Sequence, residues 1–265
     1  FGNLGFSRLG ISGAALASTI SELSFLVVLV VYVYRKVDRR HYGLKPVCEW
    51  PLLIRLLRLS IWSMMHSFTG VAPWFLFFVM IEHLGEAQLA IANIVRSIST
   101  VFFVIVCSFS TTTGSLVSNL IGAGEYKKIM PLCRKMMGLS FLLGIPLIML
   151  TLFFSDEVIG IYTRNQELIR DAFGPFVVML SNYFLSVPAH IYCNAVTGTG
   201  RTRTAFVFEL ITIVLYLLYL FLIVVRFDAP LVIYWTAELL YVFVLFVLSY
   251  WYMKVRYFKR YLPLV

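Results

Sequence analysis

Seven stretches of roughly twenty apolar residues follow one another along this chain, and no other feature limits its fold as much. A stretch of that length crosses the hydrocarbon core of a bilayer as a helix. The helix is favoured there because it satisfies its own backbone polar groups where water is absent. The spans are read over 12–34, 59–81 (after an amphipathic lead-in over 52–58), 88–121, 136–154, 173–196, 204–225 and 230–253. Charged residues make up 13% of the 265, against about 25% in soluble domains. The fold class expected is therefore an all-α polytopic membrane protein, with the lipid bilayer as its solvent. The net charge of +9 does not point to nucleic acid as a partner, because the basic residues sit in short loops between apolar spans.

The connections carry the rest of the organisation. Arg35 to Pro51 is a basic linker holding two prolines and is the clearest boundary. The polar stretch 155–172 reads as an interfacial helix. Lys and Arg concentrate in alternate loops, at 35–58, 127–135, 201–203 and 254–260, while Arg8, Arg164, Arg170 and Arg226 fall on the other side. The positive-inside rule places the richer side, and with it the C-terminus, in the cytoplasm, with the plasma membrane as the expected location. One span precedes the linker and six follow it. The six read as a self-contained bundle and the first as the last helix of a preceding one. The expected domains are a remnant over 1–34, a cytoplasmic linker over 35–54 and a six-helix bundle over 55–265. Phe1 falls in what reads as a loop, so a missing N-terminal helix bundle of the same chain is an expected partner.

The stretch from Gln88 to Met137 reads as one long helix, a glycine hinge and a basic turn into the next helix. Ser110, Gly114, Ser118 and Gly122 recur every four residues and share one face. Small residues at that spacing let a second helix approach closely. Cys48, Cys107, Cys133 and Cys193 are scattered and form no CxxC pair, so neither a metal site nor a disulfide framework is expected. No nucleophile–base spacing or phosphate loop points to an enzyme, and no catalytic residue is expected.

Three motifs carry a resemblance. GEAQLA (Gly85 to Ala90), followed by SNLIGAGEYKK (Ser118 to Lys128), resembles the C-terminal half of multidrug and toxic compound extrusion (MATE) transporters. CNAVTGTGRTRTA (Cys193 to Ala205) looks like the family's turn between its tenth and eleventh helices. LGISGAALASTIS (Leu9 to Ser21) looks like its entry to the sixth. The resemblance implies that the chain holds the sixth to twelfth of twelve helices. It further implies two facing bundles, alternating access to a central cavity, and antiport of small organic, often cationic, compounds or drugs against H+ or Na+. No other cofactor is implied. A flippase for lipid-linked saccharide, from the same superfamily, is the alternative. Family members often carry acidic residues at positions that fall near Gly70 and Ser186 here, and neither is acidic in this chain.

Six ionisable residues fall inside the spans: Glu22, His66, Arg96, His190, Glu209 and Glu238. Such residues usually face a bundle interior and pair with one another. They are the candidates for cavity or ion-coupling roles. Arg96 and Glu238 lie at matched depths, roughly 12 Å in from one surface, and an ion pair between them is expected. His190 and Glu209, near the other surface, are open to two readings: partners that relay protons, or His190 bonded to a backbone carbonyl with Glu209 reaching toward the cytoplasmic surface. His66 sits on a helix interrupted by Gly70 and Pro73, facing either a cavity or a neighbouring helix. Phe68, Trp74, Asn93, Asn182 and Tyr183 are candidate substrate contacts, because aromatic faces and a few polar groups suit an organic cation. Pro146, Pro175 and Pro188 are expected to break helices and to supply bends.

Overall fold

The structure, a computed structural model, describes residues 10–36, 49–226 and 230–257. The loop before residue 10, most of the basic linker and the end of the basic tail lie outside the described residues. The chain divides into two units at residues 53 and 54. In the first, α1 (Gly10–Lys36) is an apolar helix with Arg35 and Lys36 in its last turn. There they oppose the negative end of the helix dipole.

The second unit is built from long helices, and no strand occurs among the described residues. The order is α2 (Trp50–Glu82, its first turn falling in the first unit), α3 (Glu86–Gly122), α4 (Ile129–Phe153), the short α5 (Ser155–Gly160), α6 (Gln166–Gly198), α7 (Thr202–Arg226) and α8 (Leu231–Trp251). Seven of the helices in the described chain are long and apolar enough to cross a membrane, as the sequence predicts. The protein is an all-α polytopic membrane protein.

Two boundaries differ from expectation. The stretch 155–172 is not one interfacial helix: α5 ends at Gly160, and Asn165 caps α6 by accepting the Glu167 N–H at 2.9 Å. A cap decides where a helix starts, whereas hydropathy marks only where it enters lipid. α4 likewise begins at Ile129 rather than at 136, with no side-chain cap, because its polar first turns are helical before the chain becomes apolar. The prolines also differ. Pro73, Pro146, Pro175 and Pro188 all lie inside continuous helices. In a bilayer the carbonyl that a proline frees is re-satisfied locally and the helix continues.

α6 is the axis of the second unit and packs most extensively on α3 and α8. The α3 stripe is its contact surface. Ser118 Oγ donates to the Gly198 carbonyl at 2.8 Å, and a Cβ on Gly114 would come 3.1 Å from the Asn194 carbonyl. Gly122, the last member, meets nothing within 4 Å and ends α3 just before the turn. That turn needs a left-handed residue, which Gly124 supplies at φ 74°.

Candidate functional site

The inward faces of α2, α3, α6 and α8 enclose a cavity of about 260 Å³. Its wall holds Trp74 from α2, Arg96 from α3, Asn182 and Tyr183 from α6, and Trp235 and Glu238 from α8. The wall is mainly apolar. Trp74, Phe77 and Trp235 pack edge to face at 5.2 to 6.1 Å between ring centroids. Five of the eleven candidate residues named from sequence, along with Trp235, thus meet at one place.

The expected Arg96–Glu238 ion pair is not formed. Among the described residues the ion pairs are His66–Glu209 and Lys128–Glu125. Arg96 lies with its guanidinium 5.0 Å from the Phe78 ring centroid and 5.4 Å from that of Trp74. Such a cation is held by ring quadrupoles rather than by a carboxylate. Matched depth brought both residues to the same cavity, but the pairing of side chains depends on rotation about each helix axis, which depth does not fix.

Glu238 accepts instead from the Tyr216 hydroxyl at 3.0 Å. The arrangement is reciprocal. Glu209, on the same helix as Tyr216, accepts from the hydroxyl of Tyr241, on the same helix as Glu238. Each of α7 and α8 thus gives one carboxylate and one tyrosine to its neighbour. The two rings meet edge to face between the pairs, with centroids 5.9 Å apart. Neither tyrosine was singled out by the sequence. The signal was present, because Tyr216 follows Glu209 by seven residues and Tyr241 follows Glu238 by three, spacings that share a helix face.

Of the two readings of His190 and Glu209, the backbone-carbonyl bond holds for His190, while Glu209 is buried and finds a different imidazole. The imidazole partner of Glu209 is His66, with Nε2 3.6 Å from Oε2, and not His190. His66 Nε2 also lies 3.6 Å from Cys193 Sγ. His190 turns back onto its own helix, with Nδ1 2.9 Å from the Ser186 carbonyl and its ring edge-on to Phe103. Gly70 leaves the room that Glu209 uses: a Cβ there would stand 3.4 Å from Oε1.

The remaining candidates fall elsewhere. Phe68 is 77% exposed and lies off the cavity. Asn93 is exposed and donates to the Leu89 carbonyl of its own helix at 3.0 Å. Glu22 is exposed on α1. Tyr183 lines the cavity, but its hydroxyl is committed to α4, donating to the Ser140 carbonyl at 2.8 Å. Two cavity residues hold buried polar atoms without a protein partner, Asn182 Oδ1 and Trp235 Nε1. One is an acceptor and the other a donor, so the lining offers both to a ligand.

The chain is 24% identical over 207 residues to the probable multidrug resistance protein YoeA of Bacillus subtilis (strain 168), covering 75% of this chain and 44% of that one. It is 22% identical over 215 residues to the probable multidrug resistance protein NorM of Thermotoga maritima, covering 80% of this chain and 46% of the relative. It therefore spans less than half the length of these curated relatives. A crystal structure of MATE in complex with MaL6 superposes on 88% of this chain and 54% of that one, with a TM-score of 0.74 at 16% identity, a likeness of fold. The MatE family model matches residues 63–222, a stretch that holds α3, α4 and α6 entire and most of α2 and α7. Since that match takes in more than half of the sequence and every helix of the cavity except α8, the chain belongs to the MatE family.

Proposed function

We propose that this chain is the C-terminal part of a secondary antiporter that exports small organic compounds, often cationic, in exchange for H+ or Na+. Alternating access between this six-helix bundle and a second bundle would carry the cargo, with the C-terminus in the cytoplasm. The observation that carries this reading is the cavity itself. It is mainly apolar, it lies inside a membrane bundle, and it holds a carboxylate, Glu238, that forms no ion pair with an arginine or lysine among the described residues. An intramembrane carboxylate in such a place takes up a cation or a proton. The aromatic wall of Trp74 and Trp235 suits the apolar body of an organic ligand.

The reciprocal Glu–Tyr pairs bear on the coupling ion. A proton needs only one carboxylate oxygen, whereas a hard metal cation needs several oxygen ligands. Glu209 is met by one hydroxyl and one imidazole nitrogen, and Glu238 by one hydroxyl, which supports H+ over Na+. The flippase alternative has no comparable support. The cavity lining holds only one basic side chain, and the two relatives above are named for multidrug resistance.

The test is uptake of a fluorescent organic cation into inverted vesicles by the full-length protein, under an imposed proton gradient and then a sodium gradient. Uptake that needs the proton gradient and falls at least about tenfold in Glu238→Gln is the expected result. Failure of both gradients to move the cation with inserted protein would overturn the antiport reading.

A further inference from the structure

A second pocket, of about 400 Å³, lies where α2 begins and the turn between α6 and α7 comes round to it. Arg55, Arg58, Arg201 and Arg203 all line it, with Trp62 and Thr204. Arg55, Arg58 and Trp62 are spaced by three and four residues, so they share one face of α2. The Arg203 guanidinium stands 5.3 Å from the Trp62 ring centroid, which holds it against the pocket wall. Thr202 Oγ1 donates to the Leu59 carbonyl at 3.4 Å and ties the start of α7 to α2. Gly200, at φ 78°, makes the turn that presents Arg201 and Arg203 together.

The arrangement is electrostatically incomplete. Four guanidinium groups line one pocket, and the ion pairs among the described residues, His66–Glu209 and Lys128–Glu125, include none of them. Arg201 and Arg203 also flank the first residue of α7, where backbone N–H groups point outward and the helix dipole is positive. Cations are the wrong charge for that position. One anion relieves both conditions. Arginine forks match a phosphate with paired N–H bonds, and basic pockets between helix ends are where charged headgroups dock. The helix ends around this pocket are the ends of membrane spans.

We propose that this pocket binds a phosphate group, carried by an anionic phospholipid headgroup or by a soluble phosphate. It shares no lining residue with the cavity of Glu238, so it is a separate site and does not depend on the transport reading. Its location at span ends, beside an aromatic side chain, favours the lipid as the source.

The test uses the purified protein in detergent, with binding followed by native mass spectrometry and thermal unfolding. The probes are phosphatidylglycerol, zwitterionic phosphatidylcholine and inorganic phosphate. The expected result is saturable binding of phosphatidylglycerol, at least about tenfold tighter than phosphatidylcholine. The preference should be lost in Arg58→Gln with Arg203→Gln and kept in Arg164→Gln, an exposed arginine at the other end of α6. If the double variant fails to fold, by size-exclusion and helical circular dichroism, then Arg55→Gln with Arg201→Gln takes its place. Inorganic phosphate binding at the same arginines, with no lipid preference, would assign the site to a soluble phosphate and still support it. An unchanged lipid preference in the folded double variants would overturn the site, as would absence of both phosphatidylglycerol preference and phosphate binding.

Discussion

At the scale of the residue, the informative groups are carboxylates whose partners are tyrosines. A buried carboxylate beside an arginine is a static pair, expensive to separate. One that holds only a hydroxyl can gain and lose a proton without stranding a countercharge. Among the described residues, Tyr216→Phe leaves Glu238 with no side-chain donor, and Tyr241→Phe leaves Glu209 with only His66. Each change should lower stability by about 0.6 to 2 kcal/mol, the range for side-chain hydrogen bonds in membrane bundles, as read by thermal unfolding in detergent. The double change should depart from the sum by at least about 0.5 kcal/mol, because the two tyrosine rings are in contact, with centroids 5.9 Å apart. The sequence made Glu209 and Glu238 legible as buried charges through their depth alone. It did not make their partners legible, because tyrosine is common in this chain and only its helical spacing from each glutamate sets these two apart. Arg96 shows the converse: its place in the cavity followed from depth, but its aromatic partners Trp74 and Phe78 are one turn apart on another helix.

At the scale of the element, close approach between helices decides which small residues matter. α4 carries two glycines that look alike in sequence, Gly138 and Gly144. A Cβ on Gly144 would run into the Tyr183 ring, while one on Gly138 meets nothing within 4 Å. Tyr183 cannot easily retreat, since its hydroxyl is bonded to Ser140 and its ring packs edge-on to Phe102 and Phe141. Gly144→Ala should therefore cost about 1 to 3 kcal/mol by overpacking. Gly138→Ala should be neutral or stabilising by up to about 1 kcal/mol, through helix propensity. Equal unfolding temperatures for the two variants would contradict the packing at Tyr183. Helix existence was legible throughout, because apolar length is a strong signal. Helix ends were legible only where a cap or turn motif marks them, as at Gly124 and Gly200. The start of α6 was missed because Asn165 caps it within a polar stretch that hydropathy assigns to the interface.

At the scale of the whole molecule, the distribution of charge determines which way the bundle faces. For spans that alternate without a skip, one decision about orientation fixes every loop. Arg55, Arg58, Arg201 and Arg203 stand together at one end of the second unit, while Arg164 precedes α6 at the opposite end of that helix. The fold therefore gathers into one pocket basic residues that the sequence separates by well over a hundred positions. A charge bias read from loops acts before folding, during insertion, whereas the pocket exists only afterwards. The two can be separated by experiment. A reporter fused after Val265 should show cytoplasmic fluorescence and no external phosphatase activity, because the bias across all the basic loops sets topology. Neutralising Arg201 and Arg203 together should leave that reporter unchanged, since the loops at 35–58 and 127–135 retain the bias. If the reporter inverts on that change, the two arginines serve insertion rather than a ligand, and their clustering beside Arg55 and Arg58 is a by-product of topology.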